Sequence, residues 1–126
     1  MNPKDQAKKY GVCDLEYAQE LKKLGCKQEG IWWWDLRENR VVIREEKWGA
    51  EEYISAPTAS ELGEALPYNY VLMKNNYQGE KDYICYDYEN RNNDRLDKFA
   101  DTLANAMAKM LIYLLEQGLI NAKKRT

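Results

Sequence analysis

The sequence predicts an α+β fold in which an antiparallel sheet of about four or five strands packs against a long C-terminal helix. Three observations support this prediction. One long segment has apolar residues at helical spacing, two segments have the pattern of β-hairpins, and helices and strands are segregated along the chain. Two shorter helices complete the expected architecture, and the 126 residues are expected to form a single domain.

The longest helical pattern runs from Asp94 to Gly118. Asp94 is suited to cap the first amides of a helix, and Gly118 is suited to the left-handed residue that follows one, where Leu119 would close back on Leu114. At about 1.5 Å per residue this helix would be roughly 34 Å long, enough to cross a small domain. Its apolar residues recur at steps of three and four: Leu96, Phe99, Ala100, Leu103, Met107, Met110, Leu111 and Leu114.

Two shorter helices are predicted before it. The first begins at Asp14, a capping residue, and stops at Gly25, after which Cys26 would close back on Leu21. The second begins at Thr58, which with Glu61 has the spacing of a capping box, in which each side chain bonds a backbone amide of the other residue. It ends at Pro67, because proline disfavours helical geometry in the residue before it.

Two β-hairpins are predicted from strand-forming runs that flank polar turns. The first joins residues 31–36 to residues 41–43, and a short extended piece follows at 53–55. The second joins residues 68–74 to residues 82–88. These segments supply the four or five strands of the expected sheet.

Alternation along the first strand assigns its side chains to two faces. Trp32, Trp34 and Leu36 form a uniformly apolar set and are predicted to face the core. Trp33 and Asp35 are then predicted to project from the opposite face, together with Ile31.

Composition bounds the class of protein. The formal charge of −2 and the pI near 5.3 argue against broad contact with nucleic acid. Three cysteines without a CxxC spacing, and the lack of a signal core or an apolar run of membrane-spanning length, predict a soluble cytoplasmic protein. The polar ends, residues 1–11 and 121–126, are expected to be loose tails.

The sequence also limits the chemistry. It contains no histidine, which removes Ser–His and Cys–His nucleophile pairs and every imidazole metal site. It has neither a P-loop nor a GxGxxG spacing. We therefore expect no cofactor, no metal site of the common kinds and no catalytic residue, and no motif establishes an activity.

Two segments carry a resemblance to a known group. Residues 58–67 read TASELGEALP and residues 108–120 read AKMLIYLLEQGLI, and the Cys-Asp-Leu-Glu opening at residues 13–16 fits the same pattern. These segments resemble small uncharacterised bacterial proteins that are often found among prophage genes. The group has no established activity, so the resemblance implies a bacterial or prophage setting and assigns no functional residue.

The leading functional hypothesis is a non-enzymatic binding or accessory protein. If Trp33 and Asp35 face away from the core, the matching face of the last strand would add Tyr83 and Asp87. An aromatic and acidic patch of this kind suits contact with a protein partner. The other interpretation is that a helix, or a second copy of the chain in a homodimer, simply covers this face.

The alternative hypothesis is a metal-dependent nuclease. Asp35 lies on one strand, and Glu45 and Lys47 follow further along the chain. Together they match the acidic residue and the Glu-x-Lys sequence that the sites of metal-dependent nucleases use. Two carboxylates would hold Mg²⁺ and Lys47 would assist the attacking water. This hypothesis requires the three side chains to converge.

Overall fold

The computed structural model describes residues 2–43, 52–66, 70–74, 83–87 and 98–120. Within these ranges the chain has an α+β fold, as the sequence predicts. The helices are α1 (Pro3–Tyr10), α2 (Leu15–Lys23), α3 (Ala59–Ala65) and α4 (Leu103–Glu116). The strands are β1 (Trp32–Asp35), β2 (Arg40–Ile43), β3 (Tyr53–Ser55), β4 (Tyr70–Lys74), β5 (Tyr83–Asp87) and β6 (Lys98–Ala100).

The described strands form two antiparallel sheets and not the single sheet of four or five strands that was predicted. The first sheet has the order β2-β1-β3, with Trp34 opposite both Val41 and Ile54. The second has the order β4-β5-β6, with Ile84 opposite Phe99. Each hairpin is completed by a third strand from outside it. The alternating sequence pattern identifies strands, but it does not determine which strand fills the remaining edge.

Helix α4 packs against α2, α3 and the strands of the second sheet. It is shorter than predicted and begins at Leu103, because Thr102 is the N-cap and its hydroxyl accepts from the Asn105 N–H at 3.1 Å. Lys98–Ala100, placed in the helix by its apolar spacing, is strand β6 and pairs with β5. Non-local strand pairing therefore overrides a helical periodicity there. The predicted start at Asp94 lies outside the described residues.

The N-terminal segment is ordered, so the prediction of a loose tail is wrong for residues 3–10. Asn2 caps helix α1 by accepting from the Asp5 N–H at 2.9 Å, Pro3 is its first residue, and Gly11 ends it with a φ of +68°. Ala7 packs into the core with 1% of its surface exposed. One small apolar residue is too weak a signal to show this packing in the sequence. Residues 121–126 lie outside the described ranges.

Several local predictions are confirmed. Thr58 and Glu61 form the complete capping box of α3. The Cys26 N–H returns to the Leu21 carbonyl after α2, and the Leu119 N–H returns to the Leu114 carbonyl after α4.

The core is formed by buried residues of both sheets and of helices α1 to α4. Its largest fully buried side chains are Trp34, Ile54, Met110, Leu114 and Val12. Among the helices that the described residues form, none combines the length and the hydropathy that crossing a membrane requires.

Candidate functional site

The four residues of the predicted sheet-face patch do not form one surface. Trp33 and Asp35 belong to the first sheet, whereas Tyr83 and Asp87 belong to β5 in the second sheet. Trp33 is 6% exposed and Asp35 is 3% exposed, so this face of β1 is covered within a single chain. The Trp33 indole Nε1 donates to the Gly30 carbonyl at 3.0 Å. The prediction that Trp33 projects from an open face is therefore wrong, since both faces of β1 are buried.

Tyr83 lies elsewhere, in a shallow depression between the end of α1 and the start of α4. This depression has a volume of about 270 Å³, and Ala7 and Leu103 also line it. Tyr83 is half-buried there.

The nuclease hypothesis is only partly covered by the described residues. Asp35 is buried, and its Oδ1 accepts from the Arg37 N–H at 3.0 Å and lies 3.5 Å from the Arg37 Nε. Glu45 and Lys47 lie outside the described residues. In the part of the chain that is described, no group of three or more carboxylate or thiol side chains is arranged to hold a metal ion.

A different aromatic and acidic surface lies between α2 and α4, and we call it the α2–α4 groove. Its volume is about 390 Å³. Its residues come from two helices and β6: Glu16, Tyr17, Glu20, Lys98, Lys109, Ile112, Tyr113 and Glu116. Helical spacing brings Glu16, Tyr17 and Glu20 to one side of α2, and Ile112, Tyr113 and Glu116 to the facing side of α4.

The two lysines of the α2–α4 groove are held by contacts within the chain. The Lys98 Nζ lies 4.2 Å from the centroid of the Tyr113 ring, a cation–π distance. The Lys109 Nζ donates to the Phe99 carbonyl at 2.7 Å and lies 5.8 Å from the centroid of the Tyr17 ring. Neither ammonium group forms an ion pair with a glutamate of the groove.

The three glutamates of the groove have no ion-pair partner among the described residues. Glu16, Glu20 and Glu116 make no ion pair with any residue in the described ranges. Glu16 and Glu116 are exposed and Glu20 is half-buried. Their carboxylates therefore present negative charge around two tyrosine rings.

The phenol of Tyr17 is partly buried and lies near several carboxylates. Burial is the larger cause, and together with the carboxylates of Glu16, Asp14 and Asp101 it raises the pKa of this phenol to about 12. A phenol that resists ionisation stays a hydrogen-bond donor at neutral pH. The groove thus offers acceptors on its glutamates and a hydroxyl donor at Tyr17.

A smaller polar cavity of about 190 Å³ adjoins the groove and shares Glu16, Tyr17 and Lys109 with it. Asp14 stands at the N-cap of α2, but its side chain does not cap the helix as predicted. Its Oδ2 instead lies 3.3 Å from the Lys4 Nζ, and the Asp14 carboxylate raises the pKa of Lys4.

Asn105 and Asp101 form the floor of this cavity. The Asn105 side chain accepts from the Asp14 N–H at 2.7 Å and donates to the Asp101 Oδ1 at 3.0 Å. Asn105 is 1% exposed and thereby fixes the start of α4 against the start of α2. The cavity is a structural support that aligns the two walls of the groove.

Sequence reasoning missed the α2–α4 groove because its walls come from helices about 90 residues apart. The available signal was the preference for tyrosine over phenylalanine, ten residues against one, since tyrosine suits half-buried contact positions. Comparison of the chain with protein-family models, with curated proteins and with solved structures gave no match in any of the three.

Proposed function

We propose that this protein is a small non-enzymatic binding or accessory module that contacts a basic segment of a protein partner through the α2–α4 groove. The observation that supports the proposal is the charge arrangement of the groove, in which both lysines are held internally and three glutamates form no ion pair with a described residue. The proposal keeps the aromatic and acidic chemistry inferred from the sequence and moves it to another surface. The resemblance to small bacterial and prophage proteins supports a bacterial or prophage setting for such a module.

The shape and chemistry of the groove favour an arginine-containing segment. Guanidinium groups make bidentate hydrogen bonds to carboxylates and stack on aromatic rings, and Glu20, Glu116 and Tyr113 all line the groove. Its volume of about 390 Å³ accommodates one or two side chains and not a whole helix. We therefore expect contact with a short extended or loop segment.

The nuclease with Asp35, Glu45 and Lys47 remains the alternative function, and no described residue favours it. Asp35 is buried and already accepts from Arg37, so a metal ion would have to compete with that contact.

The test uses a fluorescent hexapeptide that alternates arginine and glycine, with a matched glutamate and glycine peptide as probe control. Glu20→Gln/Glu116→Gln removes two charges from the groove, and Glu38→Gln/Glu52→Gln removes two charges from exposed positions elsewhere. We expect the groove variant to weaken arginine-peptide binding about fivefold or more, and the control variant to weaken it less than twofold. Binding by the wild type should fall as salt is raised.

Equal losses in both double variants would mean that only net charge matters, and this would contradict the proposal, as would equal binding of the two peptides. A Mg²⁺-dependent DNA-cleavage assay on Asp35→Asn and Glu45→Gln addresses the alternative. Cleavage that is lost in these variants and kept in the groove variant would favour the nuclease.

A further inference from the structure

The ring of Tyr113, on α4, already holds a cation of the chain itself. The Lys98 Nζ, from β6, lies 4.2 Å from the centroid of this ring. An ammonium group at this distance is attracted to the negative face of an aromatic ring. Both side chains are half-buried and line the α2–α4 groove. The groove therefore contains an aromatic position that accepts a positive charge.

The Lys98 ammonium group is weakly anchored at this position. With the residues that the structure describes, it forms no ion pair and no hydrogen bond. A cation–π contact at a water-accessible site is weak, because the ammonium group regains its strong hydration when it leaves the ring. A cation that binds the ring more tightly can therefore displace Lys98.

Lys109, the other lysine of the groove, is held differently. Its Nζ donates to the Phe99 carbonyl at 2.7 Å and lies farther from its aromatic neighbour, 5.8 Å from the centroid of the Tyr17 ring. Moving Lys109 would break a hydrogen bond that links α4 to β6. The position at which one cation can replace another is therefore at Tyr113 and not at Tyr17.

From these contacts we infer that the Tyr113 ring is the subsite for an arginine guanidinium of the partner, and that Lys98 occupies this subsite as an internal competitor until the partner displaces it. The inference rests on the proposed function and adds to it a defined subsite and a contact that limits the affinity. A guanidinium group is planar and more weakly hydrated than an ammonium group, so it stacks on the ring at a lower cost in hydration. Glu116 follows Tyr113 by three positions on α4, so its carboxylate is a near neighbour of a cation stacked there.

The first test compares variants of Lys98 in binding the fluorescent arginine and glycine hexapeptide. Lys98→Met removes the competitor and should bind the peptide about two- to fivefold more tightly than the wild type. Lys98→Arg keeps the charge and places a guanidinium group on the internal competitor, so it should bind the peptide about twofold more weakly or worse. If net charge alone mattered, Lys98→Arg would bind as the wild type does, and this result would overturn the inference.

A double-mutant cycle tests whether the effect of Lys98 acts through the ring. In a Tyr113→Leu background, Lys98→Met should change the affinity for the peptide by less than about 1.5-fold. Tyr113→Phe keeps the ring and is the matched control, and in this background Lys98→Met should tighten binding as it does in the wild type. Tightening of equal size in the two backgrounds would overturn the inference.

The side chain of Lys98 gives a readout in the wild-type protein. Its ε-methylene protons should resonate upfield, because they adjoin an ammonium group that lies over an aromatic ring. They should move to the position of a solvated lysine as the arginine peptide saturates the groove. Peptide binding that depends on Glu20 and Glu116 while these resonances stay in place would overturn this inference alone. Absence of peptide binding by both the wild type and Lys98→Met would overturn the proposed function with it.

Discussion

The buried side chain of Asn105 accepts the backbone N–H of Asp14 at 2.7 Å, joining the first turn of α4 to the first turn of α2 across 91 positions in the sequence. Its amide nitrogen donates to Asp101 at 3.0 Å, and the two partners fix which way the amide points. This bond aligns the helices that form the α2–α4 groove.

Replacing Asn105 tests that role. Asn105→Ala leaves the buried Asp14 N–H without its partner, which should lower the free energy of unfolding by about 1–3 kcal/mol. Urea unfolding measures the change, and Gln19→Ala, at an exposed position of α2, is the control, expected within about 0.5 kcal/mol of the wild type. A loss no larger than that of the control would show that water replaces the side chain.

Gly30 and Gly25 allow the free-energy cost of backbone strain to be separated from the cost of a steric overlap with a neighbouring side chain. Gly30 has a φ of +106°, and a Cβ there would overlap the Oε2 of Glu61, whereas Gly25 has a φ of +92° and open space around it. Each alanine substitution should lower the free energy of unfolding by about 1–2 kcal/mol, because alanine disfavours a positive φ. Gly30→Ala should cost about 0.5–2 kcal/mol more, since it displaces the Glu61 carboxylate from the capping box.

A double-mutant cycle checks this assignment. In a Glu61→Ala background the overlap is absent, so Gly30→Ala should cost no more than Gly25→Ala. If the extra loss at Gly30 persists in that background, it does not come from the capping box.

Trp33 is expected to be a stability residue. It is 6% exposed, so Trp33→Ala should lower the free energy of unfolding by about 3–5 kcal/mol, as truncation of a core aromatic residue does. Ile31 precedes β1 and is 65% exposed, and Ile31→Ala should change the free energy of unfolding by less than about 0.5 kcal/mol. Chemical denaturation of both variants measures the difference. A stable Trp33→Ala protein would mean that this face of β1 is open in solution.

Local signals in the sequence predicted some of the helix ends, and long-range pairing limited the rest. The capping box at Thr58 and the return of the chain after Gly118 depend on residues within one turn, so the sequence contains all the information needed. Phe99 is different, because its spacing fits a helix and its pairing with Ile84 in β5 places it in a strand. That pairing is a tertiary contact, and no local pattern encodes it.

The α2–α4 groove was not predicted from the sequence. An aromatic and acidic surface was expected around Trp33, because alternation assigns one face of a strand to the core and the other to solvent. Alternation fails when both faces of a sheet are covered, as in β1. Tyr17 and Tyr113 become neighbours across a groove only after α2 and α4 pack, and this packing is not visible in either helix alone.

The last prediction concerns the titration of Tyr17. Its pKa is raised from an ordinary value of 10.0 to about 12, first by burial and then by Glu16, Asp14 and Asp101. Well below pH 10 both the folded and the unfolded chain keep this proton, so Tyr17 adds no pH dependence to the free energy of unfolding there. Between about pH 10 and 12 the unfolded state releases the proton first, so the contribution of Tyr17 to stability falls as the pH rises. The ¹³Cζ shift of Tyr17 should follow this titration, and Glu16→Gln should lower its midpoint by removing one of the carboxylates that raise it. A midpoint near 10 in the wild type would contradict the effect of burial on Tyr17, and a midpoint unchanged by Glu16→Gln would contradict the contribution of Glu16.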